Sequence, residues 1–311
     1  MPSAVLIFNA SSGSHLHNPD ARADTVATLE AAGITVRTID GSLLHQVKHS
    51  VEVEADMVVV GGGDGTIRAA IAAHRGRGRP IGILPGGTMN LLARDYGIPA
   101  DPAEAARVIA RGHTIDVDYA LLDGHVFLHG ALTGMPVRIG VHRENRRGRM
   151  RIVDRIRLAL HAMATLPRDP LLTLTGTDDA GRTVELEAPT FALVVGTLEP
   201  QLLPRPHRNS VSGGLMTLFA VHAGSGIDIV RILLRGALGD LAEDPGVERF
   251  LMRAAEIRGP RRRIHAMLDG ESRLVRTPCA VEVRTGEVKV FAPPRSDGAQ
   301  PPRAAARAAG S

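Results

Sequence analysis

A run of glycines between an apolar segment and a helical one constrains this chain more than any other feature. Residues 57–60 are Met-Val-Val-Val, and residues 61–66, Gly-Gly-Gly-Asp-Gly-Thr, lead into a segment with helical spacing. Because glycines lack a Cβ, backbone N–H groups there can approach an anion closely, and the N-terminus of the following helix adds partial positive charge. The pattern predicts a phosphate-binding turn at the end of a buried parallel strand.

This turn differs from two common phosphate-binding sequences. It is not a Walker A loop, because no Gly-Lys-Ser/Thr follows, and it is not a dinucleotide fingerprint, because Thr66 stands where the third glycine is expected. A tight strand-to-helix turn without any ligand is the alternative interpretation. Asp64 favours a ligand, because a carboxylate in such a turn repels phosphate unless Mg²⁺ bridges the two or the carboxylate handles a proton.

The hydrophobic pattern divides the chain into three parts. The first third alternates helical patterns with apolar strand-like runs, which indicates a parallel α/β sheet; the runs are 4–8, 34–39, 57–60 and 81–84. Short alternating segments then indicate a β-rich region, interrupted by helical patterns at about 149–166 and 227–241. We therefore predict an α/β domain at 1–114, a β-rich domain at 115–295 and a disordered tail at 296–311.

Two further helices are predicted at the end of the first domain. Residues 88–96 have a helical pattern that ends at Gly97, and Asp101 with Glu104 forms a capping box before another helix.

Composition narrows the partners and the compartment. Aromatic residues make up 3% of the chain and tryptophan is absent, so stacking platforms for single-stranded nucleic acid are not expected. The net charge of +4 is compatible with anionic membrane surfaces. Cys279 is the only cysteine, which suits a reducing cytoplasm. No signal peptide and no apolar window of about 20 residues is evident, so we expect a cytoplasmic protein that associates transiently with membranes.

Four segments, in one consistent order, resemble a known family. Residues 62–66 resemble the loop shared by diacylglycerol, sphingosine and NAD kinases, and residues 84–94, Leu-Pro-Gly-Gly-Thr-Met-Asn-Leu-Leu-Ala-Arg, resemble the second motif of diacylglycerol kinases. Residues 9–13, Asn-Ala-Ser-Ser-Gly, resemble the loop after the first strand, and residues 269–271, Asp-Gly-Glu, resemble the C-terminal motif. The chain is therefore similar to the bacterial diacylglycerol kinase family.

This resemblance implies a fold and a nucleotide site. The implied fold is a Rossmann-like α/β domain of the NAD-kinase and diacylglycerol-kinase type, followed by a β-sandwich-like domain, with ATP in the cleft between them. The implied nucleotide-binding residues are Asn9, Ser11, Ser12, Gly13, Thr38, Gly61, Gly62, Gly63, Asp64, Gly65, Thr66, Thr88 and Asn90. Thr88 can also cap the helix that follows it.

The resemblance also implies the catalytic groups. Glu271, assisted by Asp269, is expected to take the proton from a lipid hydroxyl as its oxygen attacks the γ-phosphate of ATP. A carboxylate suits this role when burial raises its pKa. Asp64 is expected to position the Mg²⁺ that ATP carries, so ATP and Mg²⁺ are the expected cofactors. Taken alone, however, Asp-Gly-Glu is more typical of a hairpin turn.

Three positions depart from the family pattern. Ala10 replaces a proline, and Leu91 replaces an acidic residue. Residues 212–216, Ser-Gly-Gly-Leu-Met, stand where the family has Asp-Gly-x-Leu-Asp, a segment associated with a second Mg²⁺. Because a hard cation needs anionic oxygens, we expect this metal site to be lost or reduced to carbonyl contacts.

The implied acceptor is a membrane-derived lipid, and which lipid it is stays open because acceptor pockets carry no short motif. Residues 143–157 contain seven arginines interleaved with apolar residues, so a helix there could rest on anionic headgroups. A solvated helix face is the alternative for this segment. A homodimer is left open.

Two other functions stay open on the sequence alone. An NAD-kinase-like enzyme with a soluble acceptor shares residues 62–66, but it is expected to show Asn followed by an acidic residue, whereas Asn90 precedes Leu91 and Asn145 precedes Arg146. A non-catalytic lipid or nucleotide sensor is suggested by the missing metal carboxylates. The three retained carboxylates named above argue against it.

Overall fold

The computed structural model describes about three quarters of the chain. The described residues are 1–16, 18–134, 170–198, 208–210, 212–222, 228, 231–232, 235 and 244–294. The helix predicted at about 149–166, the arginine-rich residues 143–157 and the tail 296–311 lie outside these residues. Of the helix predicted over 227–241, the described residues 228, 231, 232 and 235 are helical.

A parallel sheet lies at the centre of the N-terminal region. Its strands are β1 (Ser3–Phe8), β2 (Thr35–Thr38), β3 (Met57–Gly62), β4 (Ile81–Pro85), β5 (Thr114–Asp116) and β19 (Lys289–Phe291). They lie in the order β2-β1-β3-β4-β19-β5, and β1 to β4 are mutually parallel. Almost every residue of β1, β3 and β4 is buried, as expected for apolar strands covered on both faces. Because parallel strands end at one edge, the segments that follow β1, β3 and β4 meet there.

Five helices accompany this sheet within the described residues: α1 (Ala21–Ala31), α2 (Leu43–His49), α3 (Asp64–His74), α4 (Leu91–Asp95) and α5 (Pro102–Ala110). The predicted helix start at Asp101 is confirmed, since the Asp101 carboxylate accepts a hydrogen bond of 2.9 Å from the N–H of Glu104 and so caps α5. The prediction for 88–96 was wrong at its start. Asn90 adopts a left-handed conformation with φ of 46°, so α4 begins at Leu91 and Thr88 does not cap it.

The C-terminal region is built almost entirely from antiparallel strands. They are β6 (Tyr119–Leu122), β7 (His125–Phe127), β8 (Gly130–Gly134), β9 (Leu172–Asp178), β10 (Thr183–Ala188), β11 (Thr190–Val195), β12 (Thr197–Leu198), β13 (Arg208–Ser210), β14 (Met216–Val221), β15 (Val247–Arg258), β16 (Arg263–Leu268), β17 (Glu271–Arg276) and β18 (Cys279–Arg284). Eleven of them form one sheet in the order β17-β16-β8-β11-β14-β15-β18-β6-β7, with β9 and β10 branching from β15. The prediction of an N-terminal α/β region followed by a sheet-rich region is confirmed.

The long strand β15 organises the second sheet. Its first half pairs with β14, and its second half pairs with β18 on one side and β9 on the other. Apolar side chains from these strands form a core of their own, separate from the core around the parallel sheet. The sequence analysis did not predict β15 or β17, because charged residues interrupt their apolar alternation.

The chain returns to the first sheet before the described residues end. Val290 of β19 pairs with Ile81 of β4 in parallel, and β19 pairs with β5 in antiparallel fashion. Residues 289–291 therefore lie in the parallel sheet, although the sequence analysis included them in the range 115–295. Two short connections, 117–118 and 285–288, thus link the two sheets.

Candidate active site

Three turns meet at the carboxyl edge of the parallel sheet, and their main chains come into direct contact. A Cβ on Gly87 would lie 2.6 Å from the Cα of Gly63, which is closer than real atoms allow. A Cβ on Gly13 would lie 3.1 Å from the backbone of both Gly87 and Thr88. Glycine is therefore required at Gly87 for lack of space, and not for its backbone conformation, since φ there lies outside the left-handed region. At Gly13 and Gly63 an added Cβ would push the neighbouring turn away by a few tenths of an ångström.

Side chains of the first turn tie it to the other two. The Asn9 Nδ2 donates to Thr66 Oγ1 at 3.0 Å, and the Ser12 hydroxyl donates to the carbonyl of Gly86 at 3.0 Å. The Asn9 Oδ1 in turn accepts from the N–H of Ser11 at 3.0 Å. Thr66 and Ser12 are buried. These predicted nucleotide-binding residues lie together at the sheet edge, where they hold the turns in place.

Asp64 joins the glycine turn to the helix of the second motif. Its Oδ2 accepts from the N–H of Leu91 at 3.1 Å and its Oδ1 accepts from the N–H of Leu92 at 3.0 Å. Asn90, the residue before α4, makes no side-chain cap and instead accepts from the N–H of Gly87 at 2.8 Å. Asp64 thus satisfies the exposed amides at the start of α4 from a different turn.

The remaining predicted nucleotide-binding residues fall into two groups. Gly61 packs against the Phe8 ring and Gly62 against Thr66, so both glycines serve the packing of β3. Thr38, at the carboxyl end of β2, Thr88 and Gly65 are exposed at the sheet edge. The surface open to a ligand therefore comprises the later part of the glycine run and the exposed threonines.

The Asp-Gly-Glu segment is a hairpin turn. Asp269 and Gly270 have φ of 47° and 85°, and they connect Leu268 of β16 to its pairing partner Glu271 of β17. The Asp269 carboxylate accepts from three backbone N–H groups, at 2.8, 2.8 and 3.0 Å, which belong to residues 128–130. Both interpretations of this motif therefore apply, because a tight hairpin turn presents Glu271 at its end.

Glu271 lies against the glycine turn. A Cβ on Gly65 would be 3.5 Å from the Oε1 of Glu271, so this carboxylate faces the residue next to Asp64. Its Oε2 lies 2.5 Å from the Nη2 of Arg68 and 2.9 Å from the Nη2 of Arg273. The fold thus brings a carboxylate of the C-terminal hairpin to the first turn of α3.

The pKa of Glu271 is lowered, not raised as would suit a proton acceptor. Burial acts to raise this pKa, but the hydrogen bond and charge of Arg68, and then those of Arg273, outweigh it and lower the pKa below its ordinary value. Glu271 is therefore ionised in the neutral range. Neither arginine was predicted as part of the site. Arg68 could have been recognised as a candidate, because it is a cation inside the otherwise apolar segment after the glycine turn.

His15 also has a defined place, although the sequence suggested only a loop. Its ring stacks on Phe8 with centroids 4.6 Å apart, and its Nδ1 lies 3.1 Å from the carbonyl of Asn9. A Cβ on Gly86 would overlap this ring at 2.3 Å. His15 therefore fills the space beneath the second glycine pair.

The segment 212–216, which lacks the family's metal carboxylates, is held by two other side chains. The buried Asp118 accepts from the N–H of Gly214 at 2.7 Å, and the Nη1 of Arg253 donates to the carbonyl of Gly214 at 3.3 Å. Burial raises the pKa of Asp118. The described part of the chain contains no cluster of three or more His, Cys, Asp or Glu side chains arranged to hold a metal ion.

The chain is similar to known proteins both in sequence and in structure. Residues 3–122 match the family model of the diacylglycerol kinase catalytic domain. A protein of Klebsiella pneumoniae (strain 342) named "Probable lipid kinase YegS-like" is 31% identical over 145 residues, which cover 44% of this chain and 48% of that protein. A diacylglycerol kinase of Staphylococcus carnosus (strain TM300) is 30% identical over 138 residues, which cover 42% and 44% of the two chains. The matched segment thus spans about half the length of these curated relatives.

Solved structures of similar fold cover nearly the whole chain. The crystal structure of a diacylglycerol kinase from Bacillus anthracis str. Sterne has a TM-score of 0.64, with 94% of this chain and 97% of that chain covered at 20% identity. This likeness shows a shared fold. Among the residues that the structure describes, no helix is long and apolar enough to cross a membrane.

Proposed function

We propose that this chain is an ATP-dependent lipid kinase, because residues 3–122 match the family model of the diacylglycerol kinase catalytic domain. It transfers the γ-phosphoryl group of ATP to a hydroxyl of a diacylglycerol-like or other lipid. One observation supports this function above the others: Glu271 lies against Gly65 of the glycine turn. A phosphoryl group bound at that turn would stand beside a carboxylate able to accept the proton of an attacking alcohol.

The nucleotide is proposed to bind along the sheet edge. The first backbone hydrogen bonds of α3 run from Thr66 and Ile67 to the carbonyl of Gly63. The N–H groups of Asp64 and Gly65 precede them at the positive end of the helix dipole, so the turn at 63–65 suits the phosphates. The exposed Thr38 and Thr88 flank this turn and offer hydroxyls to the nucleotide. Asn9, Ser12 and the other buried members of the predicted set act by fixing the turns.

Magnesium is proposed to enter the site with ATP, where it would offset the charge of the phosphates. Asp64 suits it because each carboxylate oxygen that accepts one N–H keeps a further lone pair. The expected second site in segment 212–216 has a poorer donor set, because one carboxylate and one guanidinium already satisfy that turn.

The two oxygens of Glu271 are proposed to have different roles. Oε2 is held by Arg68 and Arg273, whereas Oε1 faces Gly65 and takes the proton of the acceptor hydroxyl. As that proton moves, the lipid oxygen bonds to the γ-phosphorus, the bond to the bridging β,γ-oxygen breaks, and ADP leaves. Asp269 assists by positioning the hairpin, because its carboxylate is engaged by backbone amides.

The finer features of the fold are part of the same proposal. We propose a Rossmann-like nucleotide domain at 1–114, completed by the returning strand β19, and a β-sandwich-like domain at 115–295 that receives the lipid. The branching of the second sheet at β15 supports the latter, since one strand there serves two layers. A cytoplasmic location with transient contact to anionic membranes is proposed from the lipid acceptor.

The test is a phosphotransfer assay with γ-labelled ATP and Mg²⁺ on mixed micelles of diacylglycerol, phosphatidylglycerol, a sphingoid base or a ceramide, with NAD as a soluble acceptor. We expect label in a lipid, and we expect Glu271→Gln to lower kcat by about 100-fold or more while ATP affinity changes less than about threefold. Glu282→Gln is the matched control, because Glu282 is also a strand carboxylate paired with an arginine, Arg284, but lies in β18.

Three outcomes would contradict the proposal. Label found only in NAD would favour the NAD-kinase-like alternative. ATP binding without label in any acceptor would favour the sensor. Unchanged turnover in Glu271→Gln would remove Glu271 from the role of base.

A further inference from the structure

Arg68 is a buried cation whose bonds reach from the first sheet's region into the second. It lies in α3 just after the glycine turn, and 11% of its side-chain surface is exposed. Its Nη1 donates to the carbonyl of Leu268 at 3.2 Å and its Nη2 lies 2.5 Å from the Oε2 of Glu271. A buried guanidinium needs such partners, because an unpaired buried charge is strongly destabilising.

The two bonds hold both sides of the hairpin turn. Leu268 and Glu271 face each other across β16 and β17, so Arg68 grips the last residue of one strand and the first of the next. From the other side, the Asp269 carboxylate fixes the turn to residues 128–130. The hairpin end is thus held between its own sheet and α3.

Arg273 contacts the same oxygen but in a different setting. It lies two residues from Glu271 on β17, and 48% of its side chain is exposed. Water screens an exposed ion pair, and such pairs contribute little. Arg273 is therefore a natural comparison for Arg68, since both reach the Oε2 of Glu271 and only Arg68 is buried.

We propose that Arg68 is a positioning residue that fixes the carboxylate of Glu271 against the glycine turn and leaves its Oε1 directed at the acceptor hydroxyl. This inference rests on the proposed function. By holding Oε2, Arg68 restricts rotation of the carboxylate, so the distance between the proton acceptor and the bound phosphate is set by α3 itself. The helix that begins at the phosphate site thereby also orients the base.

The same contact affects protonation. The charged groups that face Glu271 are Arg68 from α3 and Arg273 from its own strand, and together they lower its pKa against the effect of burial. Without Arg68, burial meets less opposition and the pKa of Glu271 rises. The acidic limb of the kcat–pH profile then moves to higher pH, a change that a merely structural role does not produce.

The experiment compares Arg68→Gln, Arg68→Lys and the matched control Arg273→Gln over about pH 5 to 9. We expect Arg68→Gln to lower kcat roughly 10- to 100-fold and to move the acidic limb upward, with the KM for ATP changed less than about threefold. Arg68→Lys should recover part of kcat and most of the original position of the acidic limb, because lysine keeps the positive charge but lacks the forked N–H donors of the guanidinium. Arg273→Gln should lower kcat less and move the acidic limb less than Arg68→Gln does, because water screens the exposed pair.

A double-mutant cycle separates positioning from loss of folding. In the Glu271→Gln background, Arg68→Gln should cost little further activity, because the group through which it acts is already gone. Full additivity, or an Arg68→Gln enzyme with unchanged kcat and an unmoved acidic limb, would overturn the proposal. Arg68→Lys, which keeps a buried cation, supplies the folded variant if Arg68→Gln does not fold.

A second measurement does not depend on turnover. The carboxyl ¹³C resonance of Glu271, assigned by its loss in Glu271→Gln, should titrate at higher pH in Arg68→Gln than in the unchanged chain, and Arg68→Lys should restore most of the original titration. If the unchanged chain phosphorylates no lipid but this shift appears, the proposed function fails and the contact stands. If the chain is active and the resonance does not shift, the inference about Arg68 fails alone.

Discussion

The two halves of the site are held by different forces. In the glycine turns, Gly63 and Gly87 press main chain against main chain, and an added Cβ would come within 2.6 Å of a backbone atom. In the hairpin, Asp269 and Glu271 are held by amides and guanidinium groups at 2.5 to 3.0 Å. The steric contacts of the glycine turns are insensitive to pH and salt but leave no room for an added atom. The electrostatic contacts of the hairpin accept a side chain of the same shape only where its charge is not needed.

The largest expected effect tests the steric half. In Gly87→Ala, the new Cβ must displace the Gly63 backbone or the Asn90 side chain, so the two turns separate and the phosphate site is lost. We expect ATP affinity, measured by calorimetric titration, to fall by about 100-fold or more. Gly76→Ala is the control. Its φ of +70° makes an alanine costly there, but no atom lies within 4 Å of the added Cβ, so the cost does not arise from contact with another turn. Retained ATP affinity in Gly87→Ala would show that the turns can move apart without cost.

The next prediction could contradict this comparison, because it gives the first region of the molecule a pH dependence of its own through the buried His74. Burial first, then the charges of Arg79 and Arg77, lower the pKa of His74 from 6.5 to about 4, and its Nε2 pairs with the Ser50 hydroxyl at 2.8 Å. The folded state holds His74 neutral, so stability present above pH 6.5 is lost as the pH falls towards 4.

This loss amounts to at most about 3 kcal/mol. Urea unfolding at a series of pH values measures it, and His74→Gln should flatten the dependence in that window. An unchanged slope in His74→Gln would show that other groups cause the acid sensitivity.

The third prediction concerns the electrostatic half. Asp269→Asn keeps the shape of the side chain but turns part of it from acceptor to donor, and it faces three N–H groups. We expect unfolding free energy to fall by about 2 kcal/mol and kcat to fall about tenfold, with ATP affinity unchanged. Asp179→Asn, at an exposed position of a different hairpin, is the control. A matching loss of ATP affinity would mean that the two halves do not fail separately.

The smallest expected effect lies where the two regions join. The pKa of Asp118 is raised by burial, so the folded state binds its proton more tightly than the unfolded state does, and ionisation costs stability as the pH rises above 3.8. Asp118→Asn resembles the protonated form and should stay within about 1 kcal/mol of the unchanged chain at neutral pH. Asp118→Ala, which leaves the Gly214 N–H without its partner, should lose about 2 kcal/mol.

Chelation offers a check on the same turn. If Asp118 and Arg253 complete the segment 212–216, EDTA should leave the melting temperature of the nucleotide-free chain unchanged. A fall of several degrees on chelation would instead indicate a bound metal ion in the fold.

Much of the first region could be predicted because its signals are local. Strands β1, β3 and β4 are continuous apolar runs, the helix after Asp101 carries its own capping box, and the glycine turn has a short sequence pattern. The presence of Glu271 in the site followed from the resemblance. These features need only neighbouring residues to be recognised.

What could not be predicted depends on contacts between distant residues. Arg68 and Leu268 are 200 positions apart, and without that contact the pKa of Glu271 was expected to rise. The Asp64 carboxylate was assigned to Mg²⁺ alone, because its bonds to the amides of Leu91 and Leu92 exist only once α4 begins late. Strand β15 was not predicted, because charged residues interrupt its apolar alternation. Its pairing with three other strands depends on residues that are distant in the sequence.

The returning strand β19 has a consequence for how the chain is made. Strands β1 to β4 leave the ribosome first. In the described sheet, however, the outer edge of β4 stays unpaired and β5 has no partner strand until residues 289–291 have been made. A nascent chain therefore carries an unfinished edge, open to mispairing, until nearly all of it has been translated. A product released just before residue 289 would have all three glycine-containing turns and still lack the strand that completes the sheet behind them.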